Sequence, residues 1–262
     1  MKTSGIMLAV AGMAMASMAA ELPQAVAHRG GAREQVENTI SALKNSYDKG
    51  VRGFEIDIYL TTDKRVVLFH DSTMDRLTTG TGRIADKSST DLASVTMKKN
   101  GEALPYLEDV VTFLKTRPDA YIQVEIKSEK DHPDAPEEIA RLALEIFKKG
   151  GIGQEQIIFI SFDQRPLKTI KSLDPAWRTC VVKGVADAQL IADAKAIGAE
   201  WLSVNIDHVT RAFIRDAHKA GLKTTVWTVQ NDADARLVMA LGSDCVTTDI
   251  PTAQLEQKTA RP

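Results

Sequence analysis

The chain has 262 residues, of which 44% are hydrophobic and 26% are charged, and its formal net charge is −2. This is the composition of an ordinary globular protein that can build a full core. The near-neutral charge argues against a polybasic surface for nucleic acid or for an anionic membrane. The two cysteines, Cys180 and Cys245, lie in apolar strand-like runs, where buried single thiols are common, so we expect free thiols, although an oxidising compartment would permit a bridge.

The first twenty residues have the pattern of a secretory signal peptide. Lys2 supplies a positive start, residues 6–20 form an apolar run without a charge, and small side chains precede Glu21. The run is short for a membrane span, and the alternative is an apolar helix packed on the domain. We therefore predict a signal peptide at 1–20, one domain at 21–262, and export to the periplasm or the medium without a stable membrane anchor.

Short apolar segments then alternate with amphipathic ones. The predicted strands are 25–28, 53–58, 121–126, 157–162, 179–182, 201–205, 224–229 and 244–249. Amphipathic stretches between them predict helices at 40–49, 136–149, 186–197 and 209–220. Eight strands that alternate with helices predict an α/β fold, a closed (β/α)8 TIM barrel.

Residues 64–71 also have a strand pattern, only a few residues after the second strand. Parallel neighbours need a crossover of about a dozen residues or more, so this segment cannot be the next barrel strand. We predict a hairpin arm that rises from the second strand and carries His70 above the carboxyl end of the barrel. Residues 72–104 are predicted to be an irregular excursion, and a helix follows in the segment LPYLEDVVTFL.

Ionisable residues stand together at the ends of the first strands. They are His28 and Arg29, Glu55 and Asp57, His70 and Asp71, and Glu125 and Lys127. Residues two apart on a strand share one side of it, and the active sites of such barrels lie at the carboxyl ends of the strands. Because buried charges are costly unless they are paired or bound to a metal, we expect these groups to form one site.

The residue types in this set suit the cleavage of a phosphate ester. Glu55, Asp57 and Glu125 would make an oxygen site for one divalent cation, Mg²⁺ or Ca²⁺. His28 and His70 can share general acid and base work near neutral pH, whereas zinc would recruit them as ligands. The arginine and the lysine would bind the charge of the phosphate.

At these residues the chain resembles the glycerophosphodiester phosphodiesterase family. The matching stretches are HRG at 28–30, VENT at 36–39, EIDIYLTTD at 55–63, VVLFHD at 66–71, RLTTGTGRI at 76–84, LPYLEDVV at 104–111, VEIK at 124–127, VWTV at 226–229 and TTDIP at 247–251. They occur in the order of the family and span nearly the whole predicted domain. Val36, where the family usually has proline, and Lys64, where glycine is common, depart from the pattern outside the chemical positions.

The resemblance implies an enzyme that hydrolyses small-molecule glycerophosphodiesters to glycerol 3-phosphate and an alcohol. It implies His28 and His70 as the acid–base pair, the three carboxylates as ligands of the cation, and Arg29 and Lys127 on the phosphate. Trp227 is predicted to wall the substrate pocket, with a place in the core as the alternative. The oligomeric state does not follow from the sequence.

Three further residues are weaker candidates for a role at the site. Glu37 and Asn38 would cap the first helix or serve catalysis, and Glu37 would then orient Arg29. Asp249 is predicted to orient a neighbouring side chain.

Three other functions could use parts of this pattern. The first is a lysophospholipase D or sphingomyelinase D activity, which an apolar rim for acyl chains would favour. The second is a non-catalytic binder of phosphorylated ligands, which would have no need of a proton-transfer pair. The third is a glycosidase, which needs carboxylates on both sides of a sugar bond, whereas Glu55 and Asp57 share one side of one strand.

Overall fold

A computed structural model describes residues 25–251 of the chain, and the predicted signal peptide lies outside the described residues. The strands are β1 Ala25–Ala27, β2 Gly53–Leu60, β3 Val66–Leu68, β4 Tyr121–Ile126, β5 Ile157–Ser161, β6 Arg178–Lys183, β7 Trp201–Asn205, β8 Lys223–Val229 and β9 Cys245–Thr248. The α-helices are α1 Ile40–Asp48, α2 Ser89–Leu92, α3 Leu107–Lys115, α4 Ala135–Gly150, α5 Gln164–Leu173, α6 Ala188–Ile197, α7 Arg211–Lys219 and α8 Asp232–Leu241.

Eight of the nine described strands form a closed parallel barrel. Each strand pairs with its neighbours in the order β1, β2, β4, β5, β6, β7, β8 and β9, and β9 pairs again with β1. The remaining strand, β3, is antiparallel to the carboxyl end of β2, with Leu68 opposite Ile58. The predicted (β/α)8 barrel with a hairpin after its second strand is therefore confirmed.

The main core lies between the barrel and the surrounding helices. Side chains such as Phe54, Leu107, Phe147 and Phe159 are fully buried there, or nearly so. A second group fills the interior of the barrel and includes both cysteines, which are buried and form no disulfide among the described residues, as expected. No helix within residues 25–251 is long and apolar enough to cross a membrane.

The excursion after β3 is mostly irregular but has a core of its own. Met74, Ile84, Leu92 and Met97 are buried together with side chains of the hairpin, including Phe69. The segment contains the short helix α2, which Ser88 caps. Its apolar cluster holds the excursion against β2 and β3, next to the carboxyl end of the barrel.

Candidate active site

The first site residues follow β1 in a sharp turn. His28 begins a 3₁₀ turn, and Arg29 adopts the left-handed backbone conformation with φ 51°. Gly30 has φ 83°, and a Cβ at this position would lie 2.9 Å from the Cβ of Ala42. Only glycine fits this backbone and this close approach without strain. The two glycines after His28 and Arg29 thus allow the chain to turn away while both side chains stay at the barrel mouth.

The three predicted carboxylates converge at the carboxyl ends of β2 and β4. One oxygen from each of Glu55, Asp57 and Glu125 lies within 4.8 Å of the others. The parallel register sets Asp57 directly opposite Glu125. Glu55 and Asp57 are only 2% and 1% exposed. Lys127 joins the cluster, with its Nζ 2.7 Å from Asp57 Oδ1 and 2.5 Å from Glu125 Oε1.

The charges in this cluster are not fully compensated by the side chains around them. Burial, followed by the nearby charge of Asp57, raises the pKa of Glu55 to about 8. Glu55 Oε2 accepts a hydrogen bond from the backbone N–H of Arg29 at 2.8 Å, whereas Oε1 is buried and accepts none from the described residues. An unpartnered carboxylate oxygen among two other carboxylates fits a hard divalent cation. The residues present therefore suit the predicted metal.

Both predicted acid–base residues are held by aspartates. His28 Nδ1 lies 2.6 Å from Asp249 Oδ1, and His70 Nδ1 lies 2.8 Å from Asp71 Oδ1. His28 Nε2 is 4.0 Å from Glu55 Oε2. In each ring the aspartate occupies Nδ1, so Nε2 is the nitrogen left for proton transfer. The prediction that Asp249 orients a neighbour is confirmed.

The surroundings shift the pKa values of the two histidines in opposite directions. Burial lowers the pKa of His28, but the hydrogen bond with Asp249 and the charge of Glu55 outweigh burial and raise it above its ordinary value. For His70, burial is also the largest cause, and its pKa lies below the ordinary value although Asp57 opposes the change. The two rings are thus chemically distinct.

Arg29 and the segment before α1 fix the cluster from the side of β1. Arg29 donates from Nη1 to Glu37 Oε1 at 2.9 Å, which confirms that Glu37 orients it. Asn38 donates to Asp57 Oδ2 at 2.8 Å and accepts from the Asp57 N–H at 3.0 Å. The cap of α1 is Thr39. The interpretation of Glu37 and Asn38 as helix caps is therefore wrong.

The charged groups surround one side of a cavity of about 130 Å³ inside the mouth of the barrel. The other lining residues carry no charge; they include the apolar and aromatic side chains Ile160, Phe162, Val182 and Trp227, together with Ser203, Thr228 and Thr247. The rings of Phe162 and Trp227 meet edge to face at 5.7 Å, and Phe162 is 44% exposed. Sequence reasoning did not single out Phe162, although its place at the end of a predicted strand was a usable signal.

The structure brings all eight predicted site residues to this mouth, and Trp227 lies in the cavity wall rather than deep in the core. A larger open groove of about 780 Å³ runs between the hairpin turn and the start of α4. It contains none of the predicted residues, so the smaller cavity is the candidate site.

The comparisons with known proteins agree with this geometry. The sequence profile of the glycerophosphoryl diester phosphodiesterase family matches residues 28–253. The chain belongs to this family. The match includes every predicted site residue and leaves the predicted signal peptide outside it.

Relatives of the family cover most of the chain. This chain is 27% identical to the glycerophosphodiester phosphodiesterase of Caldanaerobacter subterraneus, in an alignment that covers 86% of this chain and 93% of the relative. A phosphodiesterase of Oleispira antarctica, solved with the product sn-glycerol-3-phosphate, has a TM-score of 0.85 at 23% identity, covering 91% of this chain and 98% of its own. A glycerophosphodiester phosphodiesterase of Parabacteroides distasonis has a TM-score of 0.78 at 25% identity, covering 92% and 99%.

Membership in this family confirms the predicted enzyme class, a phosphoric diester hydrolase. The glycosidase interpretation is excluded. The roles of the individual site residues stay predictions, since the comparisons do not test them.

Proposed function

We propose that this enzyme hydrolyses small glycerophosphodiesters to glycerol 3-phosphate and an alcohol, with one divalent cation and two histidines. The observation that carries the proposal is the meeting of two aspartate-held histidines with a cluster of three carboxylates in one cavity. A binder without catalysis would have no use for two rings whose Nε2 atoms are kept available. The product held by the Oleispira phosphodiesterase supports glycerol 3-phosphate as the product here.

Glu55, Asp57 and Glu125 would hold the cation. When bound, Mg²⁺ or Ca²⁺ would withdraw charge from the phosphoryl oxygens and stabilise the charge that develops during cleavage. Asn38 keeps Asp57 in place, because it bonds to both the side chain and the backbone of that residue.

The two histidines divide the proton transfers. In an in-line displacement, one ring takes a proton from the attacking oxygen and the other donates a proton to the leaving alkoxide. His28 follows β1 and His70 lies on the hairpin arm, so the two rings would act from different sides of the phosphate. Asp249 and Asp71 would keep each ring in the tautomer and orientation that transfer requires.

Arg29 and Lys127 would bind the phosphate. Arg29 is oriented by Glu37 at 2.9 Å, and Lys127 Nζ lies between Asp57 and Glu125. Burial lowers the pKa of Lys127, but the charges of Asp57 and Glu125 outweigh it and raise that pKa well above its ordinary value. Lys127 therefore stays protonated and can stabilise negative charge on a phosphate oxygen.

The apolar side of the cavity would contact the organic part of the substrate. Phe162 and Trp227 provide a wall without a charged group, which suits small head groups of different polarity. The family and the named relatives are glycerophosphodiester phosphodiesterases, so the lysophospholipase D alternative is not favoured. We also propose, from the N-terminal sequence pattern, that the enzyme acts outside the cytoplasm.

The experiment is a product assay on glycerophosphocholine. We expect glycerol 3-phosphate and choline in equal amounts. Choline phosphate would contradict the proposed bond cleavage. A cyclic phosphate as the final product would be compatible with the proposed metal and histidine roles, but it would indicate an activity of the sphingomyelinase D type.

A further inference from the structure

Arg76, which the irregular excursion carries, contacts two carboxylates beside the candidate site. Its Nη2 and Nη1 donate to Glu37 Oε1 and Oε2 at 2.7 and 3.1 Å. Its Nε and Nη2 donate to Asp71 Oδ2 and Oδ1 at 2.6 and 3.0 Å. One guanidinium group thus makes a bidentate pair with each of two carboxylates, a geometry that the planar, rigid fork of arginine matches and that lysine cannot reproduce.

Each of these carboxylates holds a different residue of the site. Glu37 Oε1 also accepts from Arg29 Nη1 at 2.9 Å, and Asp71 Oδ1 lies 2.8 Å from His70 Nδ1. A continuous series of contacts therefore links Arg29, the proposed phosphate-binding residue, to His70, the proposed acid–base residue. The linking side chains are Glu37, Arg76 and Asp71. Within residues 25–251, no other side chain donates hydrogen bonds to both Glu37 and Asp71.

The backbone that carries this guanidinium group is itself fixed. Met74 is buried, and its N–H donates to the Gly82 carbonyl at 2.9 Å. The Thr78 N–H donates to the Met74 carbonyl at 3.0 Å, which closes a turn around Arg76. The small core of the excursion therefore determines where the guanidinium group lies relative to the barrel mouth.

The pKa values of Asp71 and Glu37 indicate that both carboxylates are ionised. The hydrogen bonds from Arg76 are the largest cause that lowers the pKa of Asp71 to about 2. Burial raises the pKa of Glu37, but the hydrogen bonds from Arg76 and the charge of Arg29 outweigh it and hold it below the ordinary value. Both carboxylates thus remain acceptors for the side chains that they orient.

We propose that Arg76 is a positioning residue that sets the orientation of His70 through Asp71 and of Arg29 through Glu37. The inference rests on the proposed function of the site, since it assigns work to those two residues. The proposal also assigns a role to the excursion, because this segment carries the guanidinium group that links His70 to Arg29. Arg76 itself has no contact with the three-carboxylate cluster among the hydrogen bonds and ion pairs of the described residues.

A double-mutant cycle tests the proposal. The cycle compares four proteins: the wild type, Arg76→Gln, Glu37→Gln/Asp71→Asn, and the variant with all three substitutions. For each, kcat and KM are determined with glycerophosphocholine. We expect Arg76→Gln alone to reduce kcat/KM by about 10- to 100-fold, as removal of an orienting partner does elsewhere. In the background without the two carboxylates, it should cause no further loss, because residues that act through one another are not additive. A further loss of similar size in that background would overturn the proposal, and so would an unchanged wild-type rate in Arg76→Gln.

Arg83→Gln is the matched control. Arg83 stands in the same excursion and also pairs with two carboxylates, Glu129 and Asp131, but away from the cavity. We expect wild-type kcat and KM for this variant. If Arg76→Gln does not fold, Arg76→Lys replaces it; a lysine keeps the charge but loses the fork, so a reduced kcat/KM at unchanged Tm supports the proposal, and full activity overturns it.

A measurement without turnover separates this inference from the proposed function. In ¹⁵N-labelled protein, with His70 neutral, the ring nitrogen shifts of His70 should show one tautomer with the proton on Nδ1. Arg76→Gln should give a mixture of tautomers, and Arg83→Gln should not. Should the wild type cleave no glycerophosphodiester, the proposed function fails, while the His70 spectrum still decides whether Arg76 orients the ring; an unchanged spectrum in Arg76→Gln would overturn that orientation.

Discussion

The Nδ1 of His28 lies 2.6 Å from the Oδ1 of Asp249, although 221 positions separate the two residues in the chain. The closure of the barrel brings them together. β1 pairs with β9 in parallel, with Ala27 opposite Thr248, so the residues that follow the two strands meet at the same edge. His28 is therefore oriented by the last turn of the barrel, and its geometry depends on complete folding of the domain.

Asp249→Asn tests this relationship. The amide keeps the size of the side chain but removes its charge and can either donate to or accept from Nδ1, so His28 loses the group that selects one tautomer and the main support for its raised pKa. We expect kcat to fall by about 10- to 100-fold with a small change in KM. Asp86→Asn is the control, because Asp86 pairs with His132 at 2.9 Å on the surface and away from the predicted site residues. Equal kcat values for the two variants would contradict an orienting role of Asp249.

His28→Ala and His70→Ala should each reduce the rate on glycerophosphocholine by about 10²- to 10⁴-fold. On an aryl phosphodiester with a nitrophenol leaving group, no proton has to be donated. The variant that lacks the acid should recover much of its rate on this substrate, and the variant that lacks the base should not. The measurement is kcat/KM for both variants on both substrates. Equal losses on both would mean that the histidines do not divide the work.

Chelation should abolish hydrolysis, and Mg²⁺ or Ca²⁺ should restore it. Added cation should also raise the Tm of the wild type, because it binds the folded state and relieves the repulsion among three buried carboxylates. Glu55→Gln removes one ligand and replaces a buried carboxyl group, whose pKa is raised to about 8, by a neutral amide. We expect this variant to have a Tm in chelator at least equal to that of the wild type, a strongly reduced rise with cation, and a loss of activity. Full activity after exhaustive chelation, with elemental analysis that finds no metal, would remove the cation from the mechanism.

Gly30→Ala should destabilise the fold and the site together. The left-handed backbone costs a residue with a Cβ about 1–2 kcal/mol, and the added Cβ would lie 2.9 Å from Ala42. Gly101→Ala has the same kind of backbone, φ 73°, with no atom within 4 Å of the added Cβ among the described residues. We expect a larger fall in the free energy of unfolding and in kcat for Gly30→Ala than for the control, measured by denaturant titration and by rate. Equal effects would mean that the close approach at Gly30 has no consequence.

Several glycerophosphodiesters should be cleaved at similar rates. The wall opposite the charged groups carries no charge and includes the aromatic rings of Phe162 and Trp227, and apolar contacts of this kind discriminate weakly between small head groups. We expect kcat/KM for the choline, ethanolamine and glycerol diesters to agree within about tenfold, with lysophosphatidylcholine poorer. Phe162→Ala should raise KM for all three diesters. A clear preference for lysophosphatidylcholine would favour the lysophospholipase D alternative.

The barrel, the hairpin and the set of candidate site residues could be predicted from the amino-acid sequence. Alternation of apolar segments with amphipathic ones is a local signal, and the short link between β2 and β3 excludes a parallel crossover there. The spacing of Glu55 and Asp57, and of Glu125 and Lys127, follows from the two-residue period of a strand. Such features need no knowledge of distant neighbours, and for this reason they could be predicted.

The hydrogen-bond partners of those residues, in contrast, depend on how distant segments pack in the folded chain. The pairing of His28 with Asp249 depends on barrel closure, and the link from Arg76 to Glu37 and Asp71 depends on the packing of the excursion. Asn38 has the residue type of a helix cap, yet its side chain bonds to Asp57, because the turn before α1 lies against β2. Hydrogen bonds between distant segments depend on where whole elements pack, and no local pattern of residues carries that information.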